Sequence, residues 1–186
     1  MGIGNSYGGS TVEICILAGG LSSRMGRDKA RLRLDGKSLL ARVRKAAAGM
    51  PYDVRVIRRD LIARCGPLGG VYTCLKTTHC EAVLFLACDM PFITAAWMAK
   101  IVHANRGRGA AVFSRSGEGP GFPFLLRRTA LPRVEEQIAA GRFSLHELAA
   151  NCRAKILHTP DESRVLFNIN TPGDAIKARA VNSVSS

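Results

Sequence analysis

Short apolar runs rich in β-branched residues alternate along the chain with stretches whose apolar residues recur at helical spacing. That alternation predicts an α/β protein: three layers, α/β/α, with a mostly parallel central sheet covered on both faces. Val12–Leu17 (VEICIL) reads as a buried strand that runs straight into the glycine-rich AGGLSSRMG. Residues 37–48 then carry Leu39, Leu40, Val43 and Ala47 on one helical face, which completes a first βα unit. Asp53–Ile57 (DVRVI) predicts a second strand, and after RRDLIARCGPLGG a helix beginning near Gly70 gathers Val71, Cys74 and Leu75. Ala82–Cys88 (AVLFLAC) is apolar on both faces, as a central parallel strand should be, and stops at Asp89-Met90-Pro91.

A helix over Ala95–Asn105 follows. Residues 110–114 and 122–127 read as strands around the glycine-rich SGEGPG, expected to be a hairpin or loop. Leu131–Ala140 and Ser144–Asn151 read as helices and Lys155–Thr159 as extended, and a final helix starts at Pro172, where proline is favoured. Without a repeat or a long linker, the expectation is one domain over residues 12–180, between an N-terminal tail (1–11) and a C-terminal tail (181–186).

Composition agrees with a single folded unit. At 186 residues, with 47% hydrophobic and 22% charged residues, the chain is neither disordered nor long enough for two independent enzyme domains. Charge adds something new: 27 Lys+Arg, 20 of them Arg, against 14 Asp+Glu give a net +13, which points to anionic partners. Nucleic acid, an acidic membrane surface and phosphorylated small molecules all qualify. The cations are dispersed, however, with no aromatic stacking platform among them, so specific nucleic-acid binding is the weaker reading. No apolar run approaches the roughly 20 residues of a membrane helix, and the first residues lack the pattern of a secretory signal, so the expected setting is cytoplasmic, with no membrane partner. The six cysteines form no C-x-x-C pair and are expected to be reduced and mostly buried. The four histidines have no metal-ligand spacing.

In open α/β sheets the ligand lies at the carboxyl ends of the strands, so the informative segments are LAGGLSSRMGRDKA, RRDLIARCGPLGG and CDMPF. Gly19 and Gly20 let the backbone pass close to a bulky anion, and Arg24, Arg27 and Lys29 follow within ten residues. Neither G-x-x-x-x-G-K-[ST] nor G-x-G-x-x-G is present. The alternative is a tight βα turn with solvated basic residues; three clustered cations favour an anion cradle. Asp89 ends a strand with no other polar side chain. One carboxylate beside a phosphate cradle suits Mg²⁺, which takes one or two carboxylates plus phosphate oxygens and water; an Asx turn before Pro91 or a helix cap is the competing role.

Together LAGGLSSRMGRDKA (17–30), GPLGGV (66–71), CDMPF (88–92) and NINTP (168–172) resemble the molybdenum cofactor guanylyltransferase family, within the nucleotidyltransferases of Rossmann-like fold. The motifs occur in the family's order and the apolar pattern fits over residues 12–180. The resemblance implies that Leu17, Ala18, Gly19 and Gly20 meet the nucleotide through their backbone, that Lys29 binds phosphate beside the basic Arg24, and that Asp89 holds Mg²⁺. It also implies that Asp60 contacts the nucleotide and that Asn168 and Asn170 lie on the pterin side.

The implied reaction moves GMP from GTP to molybdopterin or the molybdenum cofactor and releases pyrophosphate, with a molybdoenzyme or its chaperone as a possible recipient of the product. A cytidylyltransferase or sugar-phosphate nucleotidyltransferase of the same fold, and a non-catalytic nucleotide or pterin carrier, are the rival readings; LAGG and NINTP speak against the rival enzymes. The chain departs from the family in one place. The family carries a further strand and loop, with an asparagine that helps hold the nucleoside, before the aspartate that precedes GPLGG. Here DVRVI runs almost directly into Arg58-Arg59-Asp60.

Overall fold

The computed structural model describes residues 11–19, 32–106, 109–116, 119–159 and 162–183. Gly20, Arg24 and Lys29, residues 1–10 of the expected N-terminal tail and residues 184–186 of the expected C-terminal one lie outside the described residues.

The main sheet is built from β1 (Val12–Leu17), β4 (Asp53–Ile57), β5 (Ala82–Ala87), β6 (Ala111–Ser116), β7 (Gly119–Arg127) and β8 (Lys155–His158), in the order β4-β1-β5-β7-β6-β8. β1 pairs in parallel with both β4 and β5, and β6 with β8, while β7 runs antiparallel to β5 and β6. Five of the six strands therefore point the same way, as the alternation predicts. The two strands around SGEGPG reach further into it than the apolar pattern indicates, with a register shift between Phe113 and Ser114.

Strand alternation divides the core into two layers. Ile14, Ile16, Leu84 and Leu86 face α1 (Leu39–Ala47) and α3 (Ala95–Ala104). Cys15, Leu17, Val83 and Phe85 face α2 (Pro67–Thr77), α4 (Leu131–Ala139) and α5 (Leu145–Asn151). A run that is apolar on both faces is what a strand between two helical layers requires. In the second layer Phe124 stacks between Phe113 and Phe85, with ring centroids 4.5 and 5.1 Å away.

Two boundaries differ from the sequence pattern, each for a local reason. Residues 37–38 are not the start of the first helix but strand β3, paired with β2 (Arg33–Leu34). Asp35 and Gly36 between them adopt positive φ (50° and 77°), the conformation of a two-residue Asp-Gly hairpin. Ser38 then caps α1, its Oγ accepting from the Ala41 N–H at 3.2 Å. Arg42 donates to the Leu34 carbonyl at 2.8 and 3.1 Å and pairs with Asp35 at 2.9 Å, tying α1 to the hairpin.

The second difference is that α2 starts at Pro67 rather than near Gly70, because Pro67 sits at the first helical position behind Gly66 at φ 54°. A small third core of Leu34, Leu39, Ile169 and Ala178 seats the hairpin against α7 (Pro172–Ser183). A short helix α6 (Glu162–Val165) precedes that segment.

The one charged side chain in β1, Glu13, is buried and held by Arg55 of the neighbouring β4 at 2.7 Å. Arg55 also donates to the Cys74 carbonyl and to Thr77 Oγ1. Cys15, Cys65, Cys74, Cys88 and Cys152 are buried and Cys80 half-buried, all as free thiols. A hydrogen bond with Cys74, reinforced by burial, pushes the Cys15 thiol far up; burial raises those of Cys80 and Cys152. Among the described residues no helix is long and apolar enough to cross a membrane.

Candidate functional site

The sheet order brings three strand ends side by side. β1 lies between β4 and β5, so Leu17, Ile57 and Ala87 form one row across the carboxyl edge. The ladder continues one residue past it: the Ala18 N–H donates to the Ile57 carbonyl at 2.8 Å and the Cys88 N–H to the Leu17 carbonyl at 3.2 Å. Strands spaced roughly 4.8 Å apart put the loops after β4 and β5 about 10 Å apart, with the Leu17–Gly19 backbone between them. The position is that of a ligand crevice in an open α/β sheet.

Gly19 leads into that crevice, and its lack of a side chain is a steric requirement. A Cβ there would stand 2.8 Å from the Arg58 carbonyl oxygen and 3.0 Å from its carbon. The backbone at Gly19 is thus packed against that of the loop carrying Asp60.

The G-P-L-G-G segment has a different task at each position. Gly66 supplies the positive φ that turns the chain into α2, and Pro67 occupies the first helical position. Gly69 and Gly70 leave the first turn of α2 bare: a Cβ on Gly69 would lie 2.8 Å from Asp60 Oδ2 and 2.9 Å from the Ile62 carbonyl, and one on Gly70 would lie 2.9 Å from Leu17 Cδ2. The Asp60 carboxylate therefore packs onto the N-terminal turn of α2, where the helix dipole favours a negative charge. It is half-buried and makes no hydrogen bond among the described residues, and burial pushes its carboxyl above the usual carboxylate range.

Thr73, one turn further along α2 and buried, fixes the same loop. Its Oγ1 accepts from the Leu61 N–H and donates to the Gly69 carbonyl, both at 2.8 Å. Sequence reasoning passes over Thr73. Its trace in the sequence is a hydroxyl beside Cys74 on the apolar face of the predicted helix.

Asp89 follows β5 at the same edge and is half-buried. Its backbone carbonyl accepts from the Ile169 N–H at 2.9 Å, so Asn168 and Asn170 flank a residue bonded to the Asp89 main chain. The Asn168 side-chain oxygen is buried without a donor among the described residues. Asp174 holds this segment in place, accepting from the N–H groups of Asn170 (3.0 Å) and Thr171 (2.8 Å), while Thr171 Oγ1 accepts from the Asp174 N–H at 3.2 Å. That reciprocal box starts α7. Burial alone would raise the Asp174 carboxyl, but these hydrogen bonds outweigh it and hold the group below its ordinary range.

Of the ten sequence-predicted site residues, Leu17, Ala18, Gly19, Asp60, Asp89, Asn168 and Asn170 lie at or just beyond this edge. Among the described residues no cluster of three His, Cys, Asp or Glu side chains is arranged to hold a metal ion. A single carboxylate such as Asp89 is the kind of partial shell that Mg²⁺ completes with phosphate oxygens and water, and differs from a cage of protein ligands.

Comparison with known proteins identifies the family and the fold. Residues 14–154 match the family described as MobA-like NTP transferase domain. The chain is 33% identical to a protein of Opitutus terrae named probable molybdenum cofactor guanylyltransferase, over 94% of this chain and 98% of the relative. It is 31% identical to the molybdenum cofactor guanylyltransferase of Pseudomonas putida strain GB-1, over 86% and 93%. Among solved structures, the molybdopterin-guanine dinucleotide biosynthesis protein A of Archaeoglobus fulgidus superimposes with a TM-score of 0.79 at 19% identity, covering 92% of this chain and 99% of that one, a likeness of fold. With its three strand ends gathered at one edge and the match spanning that edge, the chain belongs to the MobA-like NTP transferase family and is a nucleotidyltransferase.

Proposed function

We propose that the chain transfers GMP from GTP to the phosphate of molybdopterin or the molybdenum cofactor and releases pyrophosphate. The observation that carries this reading is the convergence of the Leu17–Gly19 backbone, Asp60 and Asp89 on one edge, with the Asn168–Asn170 segment bonded to the Asp89 main chain. The named guanylyltransferase relatives supply the base and the acceptor.

The acceptor is already an anionic phosphate oxygen, so the reaction needs neither a protein nucleophile nor a strong base. Its obstacle is repulsion between two anions that must meet in line, and positioning with charge neutralisation lowers that barrier. The Leu17–Gly19 backbone lines the nucleotide's path and Asp60 meets the nucleoside. Lys29 and Arg24 follow that segment in the sequence and are assigned to the phosphates. Asn168 and Asn170 orient the pterin side. Asp89 would hold Mg²⁺, which when bound shields the triphosphate and the departing pyrophosphate.

Asp89→Ala tests the assignment. Turnover should fall by about a hundred- to a thousand-fold, as on losing one preorganised electrostatic contact to the transferring group, while the far-UV circular dichroism spectrum stays that of the wild type. Turnover within a factor of two of wild type at the same Mg²⁺ concentration would remove Asp89 from the reaction.

A further inference from the structure

The opposite edge of the sheet carries a second cleft. It has a volume of about 620 Å³, within the range of small-molecule sites, and Val12, Tyr52, His103, Asn105, Arg106 and Arg127 are among the residues that line it. Val12 opens β1 and Leu17 closes it, so at about 3.3 Å per residue this cleft is roughly 16 Å from the row of strand ends described above.

Three features give the cleft a definite chemistry. First, its lining holds two arginines and a histidine and no carboxylate. The Arg106 and His103 side chains are exposed and make no hydrogen bond or ion pair among the described residues, and Arg127 is fixed in the wall by donating to the carbonyls of Asn105 (3.0 Å) and Gly109 (3.2 Å). Second, Asn105, the residue that caps α3, is only 8% exposed, and its side-chain oxygen has no donor among the described residues. A buried acceptor left without a donor is unfavourable, and turning the Asn105 amide so that this oxygen meets an N–H or O–H of a molecule in the cleft relieves that cost. Third, Val12, Met50, Pro51 and Val102 supply an apolar wall beside the Tyr52 ring.

From these we propose that this cleft is a second binding site, separate from the transfer site, for a nucleoside phosphate. Its phosphate would be held by Arg106, His103 and Arg127, one N–H of its base would be received by Asn105, and the base would rest on the Tyr52 side of the cleft. A bare anion satisfies only the cations and a bare nucleoside only the amide and the apolar wall.

Methyl-labelled methionine resonances of the full chain test this with GMP as the probe, because Met50 lines this cleft and Met90 is buried next to Asp89. GMP should shift Met50 saturably, with guanosine and ribose 5-phosphate each at least roughly ten-fold weaker. Arg106→Glu, at an exposed position, and Asn105→Ala should each weaken the Met50 response by about ten-fold or more and leave the Met90 resonance behaving as it does in the wild-type titration. Absence of a saturable Met50 shift at millimolar GMP would overturn the proposal, as would a Met50 response equally strong with ribose 5-phosphate, or unchanged in both variants.

Discussion

Replacing Gly19 by alanine should damage both the fold and the reaction. The added Cβ would stand 2.8 Å from the Arg58 carbonyl oxygen, and reaching an ordinary contact of 3.4 Å means moving one of two backbones by about 0.6 Å. Neither yields easily: the preceding Ala18 N–H is bonded at 2.8 Å to the Ile57 carbonyl, the residue before Arg58. Overpacking of this kind costs about 1–3 kcal/mol. For a domain of this size that corresponds to a melting temperature lower by roughly 3–10 °C. Since a 1 Å misplacement near a reacting centre can cost on the order of 100-fold, a shift of this size should lower kcat/KM for nucleotide by roughly ten-fold. Differential scanning calorimetry and steady-state pyrophosphate release measure the two effects. Gly109→Ala is the control, since nothing among the described residues lies within 4 Å of its Cβ position, and it should melt within about 1 °C of wild type. If Gly19→Ala matched that control in both assays, the close packing of the Gly19 backbone against the Asp60 loop would be refuted.

Further outcomes follow from other contacts. Asp60→Asn should separate stability from function. Because the folded carboxyl titrates above its unfolded range, the fold binds that proton more tightly than the unfolded chain does, so this group's contribution to stability declines as pH rises through and above the ordinary aspartate range. The variant should accordingly be at least as stable as wild type at pH 7 and lack that part of the pH dependence, as urea melts at several pH values would show, while its KM for nucleotide rises. Ser114→Ala removes the acceptor for the buried Trp97 indole N–H, a 3.0 Å hydrogen bond, and should cost about 1–3 kcal/mol in chemical denaturation.

The parts of the fold that follow from periodicity are legible in the sequence. β1, β4 and β5 are short runs with no competing pattern, and their boundaries match the apolar segments to within a residue. Less legible are the elements whose signal is a turn rather than a period. The Asp35-Gly36 hairpin is two residues on each side, too short to show alternation, and the helical spacing of Leu39, Leu40 and Val43 invites the helix to be extended over it.

The site divides in the same way. Gly19 and Asp89 can be found because each follows a strand, and the parallel order places strand ends together; Asp60 is singled out only by the family resemblance. Thr73 and the Ile169 bond to Asp89 escape a linear reading, since both depend on which loop packs on which helix. The opposite cleft is invisible for the same reason: it draws on the starts of β1 and β4 and the ends of α3 and β7, four places widely separated along the chain.

The most direct test of the account is pyrophosphate release by the purified full chain in the presence of molybdopterin and Mg²⁺, with GTP and CTP compared at equal concentration. The account predicts release with GTP that requires the pterin, at a kcat/KM at least roughly ten-fold above that with CTP. Release that favours CTP, or none with either nucleotide while the pterin still binds, would contradict it.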